Sequence, residues 1–232
     1  MIRQEWFRFK KLRVLAAWLG VPLLVFFAKI NSTSYAWGAG LVILGEWIRL
    51  WAICYVDRKG SRLSMSGPYA LTRNPLYLGN FFLGLGVVVI CANWILVVIY
   101  IVGYIVMYLG TIRHEETELA NRFGKVYEDY CKNVPRLFPR LTPYRANERI
   151  PFDIKRVIKH HEYVTVLGVA LLLSGLHLYK EIFVGKTAVS TQAGWIVFSL
   201  IVAALLVLER LFVSDFKKKF AEGLPDLFHK KN

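Results

Sequence analysis

Long apolar stretches separated by short polar clusters recur from one end of the chain to the other. Six are long enough to cross a hydrocarbon core of about 30 Å: Leu12–Ile30, Tyr35–Val56, Leu76–Ala92, Trp94–Ile112, Tyr163–Tyr179 and Gly194–Phe212. Only helices can span with so little polar material between segments, because each backbone group must be satisfied within its own segment. Six such stretches in 232 residues exceed what a soluble core could hide. The pattern predicts an all-α integral membrane protein of about six transmembrane helices. The third and fourth form a helical hairpin, since only Cys91-Ala92-Asn93 interrupts them.

Composition agrees: hydrophobic residues make up 56% of the chain. Charge adds an orientation. With the N-terminus inside, the leading tail carries Arg3, Arg8, Lys10, Lys11 and Arg13, and the next inner loop carries Arg58, Lys59, Arg62 and Arg73. Eleven more Lys or Arg lie in 113–159, while the opposite face receives only Lys29, Lys180 and Lys186. That asymmetry predicts a multi-pass protein with both termini cytosolic. The net charge of +14 needs no nucleic acid to explain it, and the basic face suits anionic membrane lipids. No small-residue cleavage site follows the first apolar run, which reads as a retained anchor. The organisation divides into an anchor over 1–34, a core with both polar motifs over 35–145, and a two-span extension with a basic tail over 146–232. Cys54, Cys91 and Cys131 are scattered, and His160-His161 are adjacent rather than a turn apart, so no metal site is expected.

The two polar clusters matter more than the charge. The first is G-P-Y-A-L-T-R-N-P-L-Y-L-G at Gly67–Gly79. The second is R-H-E-E-T-E-L at Arg113–Leu119, running on into R-F-G-K-V-Y-E-D-Y at Arg122–Tyr130. They lie at the two ends of one antiparallel hairpin, so both return to the same membrane face. Pro68 and Pro75 hold the chain extended just before them, which predicts a structured loop with a helix starting near Pro75. Asn74 stands where a side chain caps that helix. Leu119, Phe123 and Val126 recur at helical spacing, which predicts a helix over Arg113–Lys132 that lies on or leaves the membrane surface. Acids packed against membrane helices are costly unless paired or functional. Glu46 and Arg49, three residues apart inside the second span, are expected to form a structural ion pair.

Taken together, G-P-Y-x-x-x-R-N-P-x-Y-x-G, E-E-x-x-L and F-G-x-x-Y-x-x-Y-x-x-x-V-P resemble the isoprenylcysteine carboxyl methyltransferase family and related phospholipid methyltransferases. The resemblance covers roughly Trp37–Pro139. It implies a multi-span helical membrane domain that holds S-adenosylmethionine in a cytosolic pocket and methylates a lipid-like or prenylated acceptor through a carboxylate, thiol or amine headgroup. It further implies that Asn74, Pro75, Tyr77 and Glu115 contact the cofactor. Tyr69, Arg73, Glu116, Tyr127 and Tyr130 would shape the same pocket, and Arg113 would face the polar end of the substrate, with Arg113 and Glu116 the catalytic pair. Eukaryotic members typically carry His where this chain has Asn74, and Asn hydrogen-bonds but does not titrate near neutrality. Two other readings remain at this stage: a sterol-reductase-like enzyme using NADPH, and a non-catalytic membrane scaffold or small transporter. The reductase needs further polar residues for a larger dinucleotide. A transporter calls for paired broken helices near the bilayer midplane, whereas these clusters sit at helix ends.

Overall fold

The computed structural model describes residues 27–57, 61–146 and 149–222, with side chains to 212. The chain divides into two compact units, Met1–Glu162 and Tyr163–Asn232. In the first, α1 (Ser32–Ile53), α2 (Pro75–Ile90) and α3 (Trp94–Phe123) are followed by α4 (Lys125–Asn133) and a short α5 (Lys155–Lys159). The second holds α6 (Tyr163–Tyr179) and α7 (Ala193–Glu222). The described residues are helical with no strand. Four helical stretches among them are long and apolar enough to cross a membrane: Ser32–Ile53, Trp94–Phe123, Tyr163–Val184 and Val189–Phe212. At 16 residues, α2 is shorter, about 24 Å at the helical rise. The expected first span, Leu12–Ile30, falls outside the described residues but for its last four. This is an integral membrane protein.

Local sequence explains where these helices start. Asn31 opens α1 with a reciprocal cap: its Oδ1 accepts from the Ser34 amide at 2.8 Å, and Ser34 Oγ accepts from the Asn31 amide at 3.1 Å. Asn93 does the same for α3, accepting from the Ile95 amide at 3.1 Å. The turn before it closes at Ala92, whose φ of 48° lets so short a connection reverse the chain.

Tight packing of α1 on α2 fixes the frame. A Cβ at Gly45 would stand 2.6 Å from the Gly79 carbonyl, and one at Gly86 would stand 2.5 Å from the Gly38 carbonyl. Small residues facing each other let two backbones touch, which is the main source of helix association where lipid supplies no hydrophobic drive. Along the other side of α2, tyrosines of α3 reach its backbone. Tyr100 donates to the Phe81 carbonyl at 2.9 Å and Tyr104 to the Tyr77 carbonyl at 2.6 Å. Tyr104 stacks on Tyr108 at 4.1 Å, giving α3 a phenol ladder whose polar ends are satisfied.

Two sequence expectations change, and a third is met with added partners. The helix expected over Arg113–Lys132 is divided in two, its first part continuing α3 without a break to Phe123. Nothing between Ile112 and Phe123 breaks a helix; Gly124 does, at a φ of 51° that glycine adopts freely, and α4 begins behind it. Asn74 occupies the cap position of α2 but makes no capping bond there. The Glu46–Arg49 pair exists at 3.6 Å, yet the guanidinium's shorter contacts go to Asn80 on α2 and to Glu162, the latter at 2.8 Å. Arg49 therefore ties α1 to two further elements rather than to its own helix alone.

In the second unit, Ser199 donates to Ser174 across α6 and α7 at 2.9 Å, and Tyr163 donates to Glu209 at 2.5 Å. The apolar side chains elsewhere on these two helices are largely exposed, as lipid contact requires.

Candidate functional site

A loop and a strap build the site between them. The loop is Gly67–Asn74, a single turn of 3-10 helix over Gly67–Ala70 followed by the extended chain that precedes Pro75. The strap is the segment 134–144 after α4, which runs antiparallel along it. Arg73 N donates to Pro135 O at 2.9 Å, Arg140 N to Leu71 O at 3.0 Å, and Tyr144 N to Ala70 O at 2.9 Å. Thr72 Oγ1 donates to the paired carbonyls of Arg136 and Leu137, and Asn74 Nδ2 donates to Arg136 O at 3.0 Å. Asn74 thus spends its side chain on the strap, which is why it does not cap α2. Beneath the loop, Tyr130 donates to the Tyr69 carbonyl at 2.7 Å and packs with Leu63, Met65, Tyr127 and Val134.

This arrangement encloses a cavity of about 180 Å³. Seven of the residues singled out from the sequence line it: Tyr69, Arg73, Asn74, Glu115, Glu116, Tyr127 and Tyr130. Two more stand behind its wall. Tyr77 donates to Glu115 Oε1 at 2.7 Å, joining the two sequence clusters, and the buried Pro75 starts the helix that carries Tyr77. Arg113 is not brought to the cavity; it is exposed on α3 and absent from the lining.

The two adjacent acids have different partners. Glu116 is forked by Arg136, with Nε at 3.0 Å and Nη2 at 2.6 Å, and is flanked by Arg73 Nη1 at 3.3 Å. Two guanidinium groups on one carboxylate leave that corner net positive. Glu115 is held by the Tyr77 phenol instead. The other Arg73 contact is Cys131 Sγ at 2.6 Å, while Arg73 Nε is buried with no hydrogen-bond partner. An orphaned buried donor carries a desolvation cost that a bound acceptor removes. Burial, more than any neighbour, pushes the Tyr127 and Tyr130 phenols well above the usual tyrosine range, so both stay neutral donors at physiological pH. Hydrogen bonding to Glu116 raises Arg136 further.

Sequence reading missed part of the lining and one of the residues that hold it. Arg136 stands one residue past the V-P of the third motif, so its position was in view but its fork on Glu116 was not. Val56, Asp57, Arg62, Leu63 and Ser64 add to the lining, and Asp57 Oδ2 accepts from Ser61 Oγ at 2.7 Å and from the Arg62 amide at 3.0 Å. That loop carries no periodicity or motif to mark it. Arg122, at the last turn of α3, completes the rim.

Residues 33–126, the part of the chain that supplies α1, α2, α3 and both acids, match the family model for phospholipid methyltransferase. Among curated proteins, the chain is 28% identical over 155 residues to the cobalt-zinc-cadmium resistance protein CzcN of Cupriavidus metallidurans, covering 66% of this chain and 70% of the relative. It is 34% identical over 135 residues to the nickel-cobalt-cadmium resistance protein NccN of Alcaligenes xylosoxydans xylosoxydans, covering 57% and 63%. It is 30% identical over 139 residues to the protein-S-isoprenylcysteine O-methyltransferase of Rattus norvegicus, covering 54% of this chain and 49% of that enzyme. The chain thus spans about half the length of the isoprenylcysteine relative. No solved structure matches it.

Proposed function

We propose that this chain is an S-adenosylmethionine-dependent methyltransferase of the membrane, acting on a lipid-like or prenylated acceptor at the cytosolic interface. One observation carries the reading: the hydrogen bond from Tyr77 to Glu115 joins the two motif clusters at the wall of one cavity, beside the Arg73–Glu116–Arg136 network. The donor set suits the amino-acid end of such a cofactor. Glu115 offers a carboxylate to an ammonium, and Arg73 Nε offers an unspent donor to a carboxylate. The tyrosine faces of Tyr69, Tyr127 and Tyr130 offer cation–π attraction to a sulfonium. The basic loops give the orientation, with both termini and the cavity on the cytosolic side.

When bound, the cofactor supplies an electrophilic methyl group. The chain's own residues then have positioning as their main task, worth several kcal/mol in a displacement of this kind. Glu116 holds α3 to the loop and the strap through its two arginines. Asn74 and Thr72 fix the strap by its carbonyls. The neutral Tyr130 phenol pins the loop at Tyr69. A carboxylate or thiolate acceptor needs no base, so the cavity can serve without a titrating group at Asn74.

A ligand that binds only the native state stabilises it, by about 2.7 kcal/mol at a hundredfold excess over its dissociation constant. Purified protein should therefore melt higher with S-adenosylmethionine or S-adenosylhomocysteine and not with NADPH. A shift with NADPH alone would move the assignment to the reductase reading.

A further inference from the structure

The cavity mouth carries two guanidinium groups that the site described so far does not use. Arg62 and Arg122 both line it, from the loop after α1 and from the last turn of α3. Both are exposed, and among the described residues neither guanidinium has a hydrogen bond or an ion pair. They are nevertheless aimed. Arg122 lies over the Phe123 ring at 5.7 Å, and Phe123 is itself part of the lining. Arg62 is anchored by its backbone: its amide and the Ser61 hydroxyl both donate to Asp57 Oδ2. The nearby acids do not compete for these two cations. Asp57 is engaged by its own loop, Glu116 by Arg73 and Arg136, and Glu115 by Tyr77.

We infer that Arg62 and Arg122 form the headgroup-reading rim of this cavity and select an amphiphile whose polar end is anionic, a carboxylate or a phosphate. Planar guanidinium groups match either anion by bidentate hydrogen bonding, and two of them at one small mouth repel a protonated amine. The role that family resemblance gives to Arg113 passes to these residues, because Arg113 does not reach the cavity. The methyl-transfer reading supplies only the statement that the anion belongs to the acceptor; the anion site itself stands on the rim geometry.

The test uses the full chain in nanodiscs of neutral lipid, with protein-free discs as background. Radiolabelled dodecyl phosphate, dodecanoyl-glycine and dodecylamine serve as probes, and S-adenosylhomocysteine binding is measured on the same preparations. At least one anionic probe should bind at least tenfold more tightly than the amine, and the tighter of the two tells phosphate from carboxylate. Arg62→Ala and Arg122→Ala should each weaken that binding about fivefold, the upper end for an exposed ion pair, and about twentyfold together. Lys125→Ala, which removes an exposed cation of α4 outside the lining, should not. Equal binding of the amine, an equal loss from Lys125→Ala, or a loss confined to Arg113→Ala would each overturn the inference. Loss of S-adenosylhomocysteine binding with the probe preference intact would instead sink the methyl-transfer reading and leave the anion site standing.

Discussion

Glu115 and Glu116 are neighbours in sequence but are held by different partners, and this separates their roles. Glu115 accepts one phenol bond from Tyr77, while Glu116 is clamped by Arg73 and Arg136. If Glu115 meets the cofactor's charged end, Glu115→Gln removes a charge-assisted hydrogen bond of about 1.5–3 kcal/mol. Titration calorimetry should then show cofactor affinity falling roughly tenfold to a hundredfold, with helical content by circular dichroism unchanged. Tyr130 makes a different prediction. Its folded pKa lies above the ordinary value of 10.0 because burial disfavours the phenolate. The folded state therefore holds this proton more tightly than the unfolded chain does. Its contribution to stability is complete below pH 10.0 and is lost as pH rises beyond it. Melting temperature should drop on the alkaline side, and Tyr130→Phe should flatten that limb while lowering stability at neutral pH through the lost bond to Tyr69. At this scale the sequence pointed to Tyr69, Arg73, Asn74, Glu115, Glu116, Tyr127 and Tyr130 of the lining, because the motif residues keep fixed spacing around the hairpin. It could not show Arg62 in the lining or Arg136 behind it on Glu116. Their places depend on a strap and a loop that fold back through backbone hydrogen bonds, which have no side-chain signature.

Among the helices, hydropathy located α1, α2, α6 and the apolar part of α3 within a few residues, because lipid exposure forces apolar side chains along the whole segment. At Ile112 polarity changes but helicity does not: α3 continues beyond the apolar stretch and carries both Glu115 and Glu116. The break belongs to Gly124, and Gly124→Ala should cost on the order of 1–3 kcal/mol, because φ 51° with ψ −128° is backbone that a residue with a Cβ avoids. Chemical denaturation of the wild type and variant in one detergent measures that difference. At the α1–α2 contact, Gly45→Val would drive side-chain atoms into the Gly79 carbonyl. Overpacking of this kind costs on the order of 1–3 kcal/mol. The variant should melt lower and lose cofactor binding in proportion, since α2 carries Tyr77 to the wall of the cavity. Unchanged melting would show that the two helices are not packed backbone to backbone.

For the molecule as a whole, both polar clusters of one hairpin lie on one side, and the proposed orientation puts that side in the cytosol. A single cysteine introduced in 153–159, on a background lacking the native three, should resist membrane-impermeant maleimide in intact cells and react once the membrane is opened. The central claim is methyl transfer to a lipid-soluble acceptor, and its most direct measurement is the fate of the methyl group. Purified protein in nanodiscs would be given methyl-labelled S-adenosylmethionine and a membrane lipid extract. The account predicts label in the organic phase for the wild type and a loss of at least tenfold for Glu115→Gln at limiting cofactor. Label that stays in the aqueous phase, from protein that neither binds nor is stabilised by S-adenosylhomocysteine, would contradict it.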